Sequence, residues 1–185
     1  MKLYKESLDI SIEIDEKGCI ADSLYNLGKT LLEQNDLEKA SELFIESLDI
    51  SQRIKAKTKI ADTLLSMGRV AFERKEFEQS KRYYKESLEL YRETGNRRYI
   101  VFNILRSAQM QIIEGYFIPG LQLLGFINRE YLELKKIKFP LTDQIIYDKL
   151  LNVLKQKLTP EEFTLNFDQG KTLTLEEACQ LVVNS

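Results

Sequence analysis

The sequence predicts an all-α fold, a right-handed superhelical α-solenoid of antiparallel helix pairs closed by a C-terminal helical cap. Three observations predict it. Apolar residues recur at three- and four-residue spacings, the mark of one buried helical face. The same strings return at a forty-residue offset: YKESLDIS at 4–11, FIESLDIS at 44–51 and YKESLELY at 84–91. Polar breaks between the apolar runs are short, so consecutive helices must lie antiparallel as neighbours. A single pair cannot bury its own apolar face, whereas stacked pairs can, and such stacks curve and leave a concave side.

The elements follow in order. Residues 1–18 read as an unpaired N-terminal helix, the second half of a preceding repeat, because Met1 falls where a second-type helix starts. The chain therefore reads as the C-terminal part of a longer protein; a short protein with a lone capping helix is the alternative. Residues 19–58 form the first pair. Ile20, Leu24, Leu27, Leu31 and Leu32 share one face, Asn35–Asp36 break and cap, and Leu37, Ala40, Phe44, Leu48 and either Ile50 or Ser51 face inward on the second helix. Residues 59–98 repeat the plan with Leu64, Met67, Ala71 and Phe72, a Lys75–Glu76 turn, then Phe77, Ser80, Tyr84 and Leu88. The match extends to IADSLYNLGKTLLEQNDLEKA at 20–40 and IADTLLSMGRVAFERKEFEQS at 60–80. A degenerate third pair spans 99–137, with IVFNILRSAQMQIIEGYFIPG at 100–120.

Residues 138–185 lose the repeat and form the helical cap that a solenoid end requires. Phe139–Pro140 is a break, and Thr142 caps a helix carrying Ile145, Ile146, Leu150, Leu151 and Leu154. Thr159-Pro160-Glu161-Glu162 is a capping box with proline at the first helical position, and Gly170 ends that helix. Thr174 to Glu177 is a second capping box, opening a run with Ala178, Cys179, Leu181 and Val182.

Small residues recur with the repeat. Gly28, Gly68 and Ala108 share one register, and Ala40, Ser80 and Gly120 another. A glycine inside a helix costs ~0.5–1 kcal/mol relative to alanine, so its recurrence points to close approach of the partner helix.

Composition excludes much chemistry. The 185 residues are 43% hydrophobic and 30% charged, with 27 basic against 29 acidic side chains, so no basic excess draws in nucleic acid or an anionic membrane. Charges interrupt every apolar run, and the N-terminus lacks a secretion signal; the expectation is a cytoplasmic protein with no membrane span. Cys19 and Cys179 read as reduced, buried residues, with a disulfide as the lesser alternative. Histidine is absent, which removes the commonest general base and metal ligand. Neither catalytic residues, nor a metal site, nor a cofactor is expected. The pairs Asp15-Glu16, Glu161-Glu162 and Glu176-Glu177 suit helix surfaces and first turns. Tyr83, Tyr84, Tyr91 and Arg97-Arg98 could suggest a nucleic-acid patch, but Tyr84 occupies a repeat core position and Arg97-Arg98 read as a solvated inter-repeat turn.

The residues Leu24, Leu27, Gly28, Leu31, Ala40 and Phe44, then Leu64, Met67, Gly68, Ala71, Ser80 and Tyr84, resemble the signature of the tetratricopeptide repeat. The third copy, with Ile104, Ser107, Ala108, Gln111, Gly120 and Leu124, departs from it. The unit is forty residues, against the family's usual ~34. In that respect it resembles the longer-helix variety of bacterial regulators and kinesin light chains.

The stretches LLGFINREYLEL at 123–134 and KLLNVLKQKLTPEEFTLNFDQGKTLTLEEACQLV at 149–182 are similar to the C-terminal ends of bacterial STAND-type signal-transduction ATPases and related helix-turn-helix transcriptional regulators. Phe163, Phe167, Gly170, Leu173, Thr174, Leu175, Glu176, Glu177 and Ala178 carry that likeness. No GxxxxGK[ST] phosphate loop and no basic helix-turn-helix segment accompany it, so ATPase and DNA-binding roles do not carry over.

What the resemblance implies is a protein–protein interaction scaffold, the regulatory or sensor arm of a bacterial signalling protein. The alternative is a free-standing adaptor or chaperone-like protein. Family members bind on the concave side, lined by the first helix of each pair. The implied groove positions are Tyr25, Asn26 and Lys29, then Leu65, Ser66 and Arg69, then Phe102, Leu105, Arg106 and Gln109. Lys29, Arg69 and Arg106 beside Tyr25, Leu65 and Leu105 suit a protein or peptide with acidic and apolar side chains. The same positions also read as the polar faces of soluble helices. Asp22 and Asp62 stand where carboxylate-gripping members carry a basic residue, which argues against that clamp. The unpaired N-terminal helix offers an edge for homo-oligomer formation.

Overall fold

The computed structural model describes residues 2–134 and 140–183, which form ten helices and, among the described residues, no strand. They divide into two compact units, Met1–Gly95 and Asn96–Ser185.

The first unit holds α1 (Lys2–Glu13), α2 (Lys17–Glu33), α3 (Leu37–Arg53), α4 (Lys57–Glu73) and α5 (Phe77–Thr94). Its rhythm is set by backbone turns at twenty-residue intervals: Asp15, Asn35, Lys55 and Lys75 all have φ between 51 and 62°, and Gly95 has φ 67°. Each non-glycine position follows a helix end and lets two orphan carbonyls find partners. Asn35 N–H donates to the Leu32 carbonyl and Asp36 N–H to the Leu31 carbonyl, at 3.1 and 2.9 Å. Lys55 and Ala56 repeat this toward Gln52 and Ser51, and Lys75 and Glu76 toward Phe72 and Ala71. The next helix starts at once, so α2, α4 and the helix beginning at Arg97 open two residues ahead of the expected boundaries 19, 59 and 99. Asp36 caps α3 through its carboxylate, as expected, accepting from Lys39 N–H.

Lysine in the left-handed region lacks the ease of glycine, and the conformation costs an L-residue roughly 1–2 kcal/mol. Lys55→Gly and Lys75→Gly should each therefore stabilise the fold by about 0.5–1 kcal/mol, after glycine's larger unfolded-state entropy is subtracted. Urea midpoints check this, and lower midpoints in both variants would refute it.

The glycine register works as a notch for a ring. A Cβ on Gly28 would lie 2.7 Å from Phe44 Cε1, and one on Gly68 2.5 Å from Tyr84 Cδ1. Phe44 and Tyr84 are buried core residues of α3 and α5. Alongside the ring, Ser47 Oγ donates to the Ala21 carbonyl and Ser87 Oγ to the Ala61 carbonyl, each at 2.8 Å. Ser80 Oγ closes the second pair on the Gly68 carbonyl at 2.8 Å. In the third copy the glycine is Ala108 and the aromatic position is Leu124, so notch and knob change together. Of the two inward readings for α3, Ser51 is the buried one. Gly28→Leu or Gly68→Leu overpacks a filled notch and should cost about 1–3 kcal/mol, read as a lowered thermal midpoint.

The second unit holds α6 (Arg97–Ile113), α7 (Phe117–Leu134), α8 (Leu141–Lys157), α9 (Pro160–Thr172) and α10 (Leu175–Val183). Gly115, with φ 91°, turns α6 into α7. Helices α8 and α10 pack on both α6 and α7, and α9 packs on α7. The α7–α9 crossing is a glycine-to-glycine contact. A Cβ on Gly125 would collide with the Phe167 carbonyl oxygen and sit 3.0 Å from Gly170 Cα, while one on Gly170 would sit 2.8 Å from Gln122 Cα. Gly170 thus lies inside α9, where it permits the crossing, and does not end the helix as its sequence position suggests.

Polar contacts fasten the cap. Arg129 Nη1 donates to the Lys171 carbonyl at 2.7 Å, and Gln111 Nε2 to the Leu181 carbonyl at 2.8 Å. The Tyr147 hydroxyl donates to the Leu124 carbonyl, and burial pushes its pKa up to about 12. Both capping boxes form: Thr159 with Glu162, and Thr174 with Glu177. Thr142 does not cap α8, since Pro140 occupies that place without a side-chain bond. Phe139 lies outside the described residues.

Candidate functional site

In the first unit the first-type helices α2 and α4 touch each other directly. Turn spacing places Tyr25, Asn26 and Lys29 on α2, and Leu65, Ser66 and Arg69 on α4 at the matching register. Tyr25, Asn26, Lys29, Leu65 and Arg69 are half-buried; Ser66 is buried. Ser66 is therefore part of the packing and not of an accessible surface.

Tyr25 is the centre of the arrangement. Its ring lies 6.0 Å from that of Phe44, and two ammonium groups stand over it, Lys59 at 5.0 Å and Lys29 at 5.5 Å from the centroid. Cation–ring attraction of this kind holds flexible lysines over an aromatic surface. Lys59 also pairs with Asp22 at 2.5 Å, linking α4 to α2. Asp62 accepts a 2.6 Å hydrogen bond from the Tyr91 hydroxyl. Burial pushes the Asp62 carboxyl above its usual range, opposed by that bond and by Lys59 and Lys29. Both acidic residues of the face are thus engaged within the unit. The surface offers an aromatic floor with ammonium groups above it.

Lys59 and Tyr91 belong to this constellation, and the forty-residue register does not reveal them. The positions aligned with Lys59 hold Cys19, Tyr99 and Phe139, and those aligned with Tyr91 hold Ser11, Ser51 and Tyr131, so neither residue is kept through the copies. Only the spacing of Tyr91 one turn beyond Leu88 on the inward face signals its direction.

The third set of expected groove positions is placed differently. In the second unit Phe102, Leu105 and Arg106 are buried, and only Gln109 is half-exposed. Helix α8 packs on α6 and pairs Asp143 with Arg106, so this arginine already holds a carboxylate of its own chain. Phe102 meets Tyr99 edge-on at 5.8 Å and lies under the Arg98 guanidinium. Three of the four positions expected to be open on the third pair are therefore buried within the second unit. Arg97 and Arg98 are exposed, as expected, but form the first turn of α6 and not the connection before it; Arg97 pairs with buried Glu130 at 2.7 Å.

Other chemistry is sparse. Cys19 is exposed, against the expectation of burial, because it sits in the first turn of α2, where Glu16 accepts from its N–H; Cys179 is buried, and neither forms a disulfide. Among the described residues no group of three or more His, Cys, Asp or Glu could hold a metal ion. Among them, too, no helix is long and apolar enough to cross a membrane.

Comparison with known families matches the tetratricopeptide repeat over residues 2–53 and again over 36–93. Both matches start on a second-type helix and together fill the first unit through α5. No curated protein and no solved structure matches the chain. With the ring-in-glycine pairs of α2–α3 and α4–α5 inside the matched region, the chain is a tetratricopeptide repeat protein, its matched repeats lying in residues 2–93.

Proposed function

We propose that the α2–α4 face of the first unit binds a protein or peptide segment carrying acidic and apolar side chains. Tetratricopeptide repeats generally mediate protein–protein interaction. The observation that carries the finer reading is the half-buried Tyr25 ring under Lys29 and Lys59, with both neighbouring carboxylates already engaged. An apolar side chain can lie on such a ring while a carboxylate meets the ammonium groups. Leu65 and Arg69 extend the same pairing onto α4. The mechanism is non-covalent: the bound segment shifts a conformational equilibrium of the protein that carries this scaffold.

The setting we infer is the regulatory arm of a bacterial signalling protein in the cytoplasm. The resemblance of the tail residues Phe163, Phe167, Gly170 and Thr174–Ala178 to the ends of such proteins supports it. A free-standing adaptor is the competing reading.

A photo-crosslinking amino acid placed at position 25 tests the face, with position 45, exposed on α3, as the reference. Crosslinks to one protein from position 25, lost in a Lys29→Glu/Arg69→Glu background, are the expected result. Equal capture from both positions, or capture that survives the charge reversal, would refute the assignment.

A further inference from the structure

Resting on the assignment of the α2–α4 face as a binding surface, we propose that the segment it takes is an α-helix. That helix bears one stripe of side chains in the order carboxylate, aromatic, apolar.

The chain already holds such a helix against its third first-type helix. The buried residues of α8 are Asp143, Tyr147, Leu150 and Leu154, whose four- and three-residue spacings set them on one helical face. Helix α8 packs on both α6 and α7. Its Asp143 carboxylate pairs with Arg106. One turn later the Tyr147 hydroxyl accepts from Asn128 Nδ2 at 3.2 Å and donates to the Leu124 carbonyl at 3.3 Å. Arg106 stands three residues before Gln109, the position in register with Lys29 and Arg69. A cation among the groove positions thus takes a carboxylate borne by a helix, and an aromatic ring follows it.

The α2–α4 face presents the same kinds of group. Lys29, Lys59 and Arg69 supply the cations, and the Tyr25 ring and Leu65 supply apolar surface beside them. Lys29 and Arg69 lie about one turn further along their helices than Arg106 does along α6, roughly 4.5 Å at the α-helical rise. The partner's carboxylate is displaced along the face by the same step.

The face is poor in partners for a peptide backbone. An extended segment presents N–H and C=O groups along its whole length, and each costs free energy if it is buried unpaired. Asp22 and Asp62, the acceptors beside the ring, are engaged by Lys59 and by the Tyr91 hydroxyl. Ser66 is buried, and Asn26 is the one amide side chain among the groove positions of α2 and α4. A helix pairs its own backbone and brings only side chains to the contact. Cations and a ring suit that ligand, whereas an extended chain calls for a row of side-chain amides.

A labelled peptide of residues 141–157, the α8 sequence, serves as the probe. Added to the whole chain, it should give a saturable rise in fluorescence anisotropy and a gain of helical circular dichroism. Lys29→Glu/Arg69→Glu in the chain should weaken binding about tenfold, and Asp143→Lys in the peptide should weaken it similarly. Lys149 is exposed, so Lys149→Pro in the peptide breaks the helix and keeps the whole stripe; it should abolish binding. Equal binding of the Lys149→Pro peptide overturns the proposal in favour of an extended segment. So does binding insensitive to the charge reversal, which would mean that the peptide exchanges with the chain's own α8. Absence of saturation overturns it too. In that case, partner crosslinks from position 25 would leave the face assignment standing without the helix, and their absence would remove both.

Discussion

Gly125→Ala should destabilise the second unit by about 3 kcal/mol, the upper end of what one added methyl costs a packed interior. The reason is what the methyl meets. At Gly68 the obstacle is a Tyr84 ring, which a small rotation can displace. At Gly125 it is backbone: the Phe167 carbonyl oxygen and Gly170 Cα, 3.0 Å away. Main chain inside a helix cannot rotate aside, so α7 and α9 must separate as bodies. That movement also stretches the Arg129 bond to the Lys171 carbonyl and the 3.1 Å contact between Gln122 and Gln169. Urea unfolding followed by circular dichroism measures the loss, and limited proteolysis should show early cutting within α9. A Gly125→Ala protein with the wild-type midpoint would mean that the crossing is looser than the geometry states.

Arg106→Leu should cost about 3–5 kcal/mol, because it strands the buried Asp143 carboxylate without its partner. The pair joins α6 to α8, and both side chains are nearly withdrawn from solvent. Replacing both by apolar residues removes the stranded charge, so Arg106→Leu/Asp143→Leu should be far closer to wild type than the single variant. A double-mutant cycle on thermal midpoints provides the measurement. If the double variant is as unstable as Arg106→Leu, the arginine acts by packing its stem and not through the carboxylate.

These two sites also show where sequence reading reaches its limit. The repeats were legible because each apolar face recurs at a fixed offset, and Gly28 and Gly68 announce a close approach by their cost in a helix. The asymmetry of the capping boxes located α9 and α10 with no structural help. By contrast, Gly125 and Gly170 meet across a long stretch of chain with no periodic relation, so neither glycine names its partner. Arg106 was assigned to an open strip by extending the register of the first two copies. The contrary sign was present: α6 carries apolar residues on every side and no single polar stripe, with Ile100, Val101, Phe102, Ile104 and Leu105 consecutive or nearly so. A helix of that kind is buried on every side, and its one central cation needs an internal carboxylate. At the candidate site, Tyr25 and Lys29 were readable from spacing, whereas Lys59 reaches the ring from the next pair, a contact that only the packing of α2 on α4 creates.

The ring-and-notch lock has a consequence for how this chain tolerates rearrangement. Gly28 and Gly68 occupy equivalent places, and so do Phe44 and Tyr84; three-residue connections of one backbone shape join helices of nearly one length. Cutting after Asn35 and rejoining at Glu76 deletes two whole helices and leaves a notched helix followed by a ring-bearing one. Donor and acceptor remain in phase across the junction. A deletion of one residue inside α3, by comparison, turns every later side chain of that helix by about 100° and points the ring away from its notch. The unit of change in this protein is thus the intact lock, and shortening it by whole repeats perturbs it less than trimming it by one amino acid.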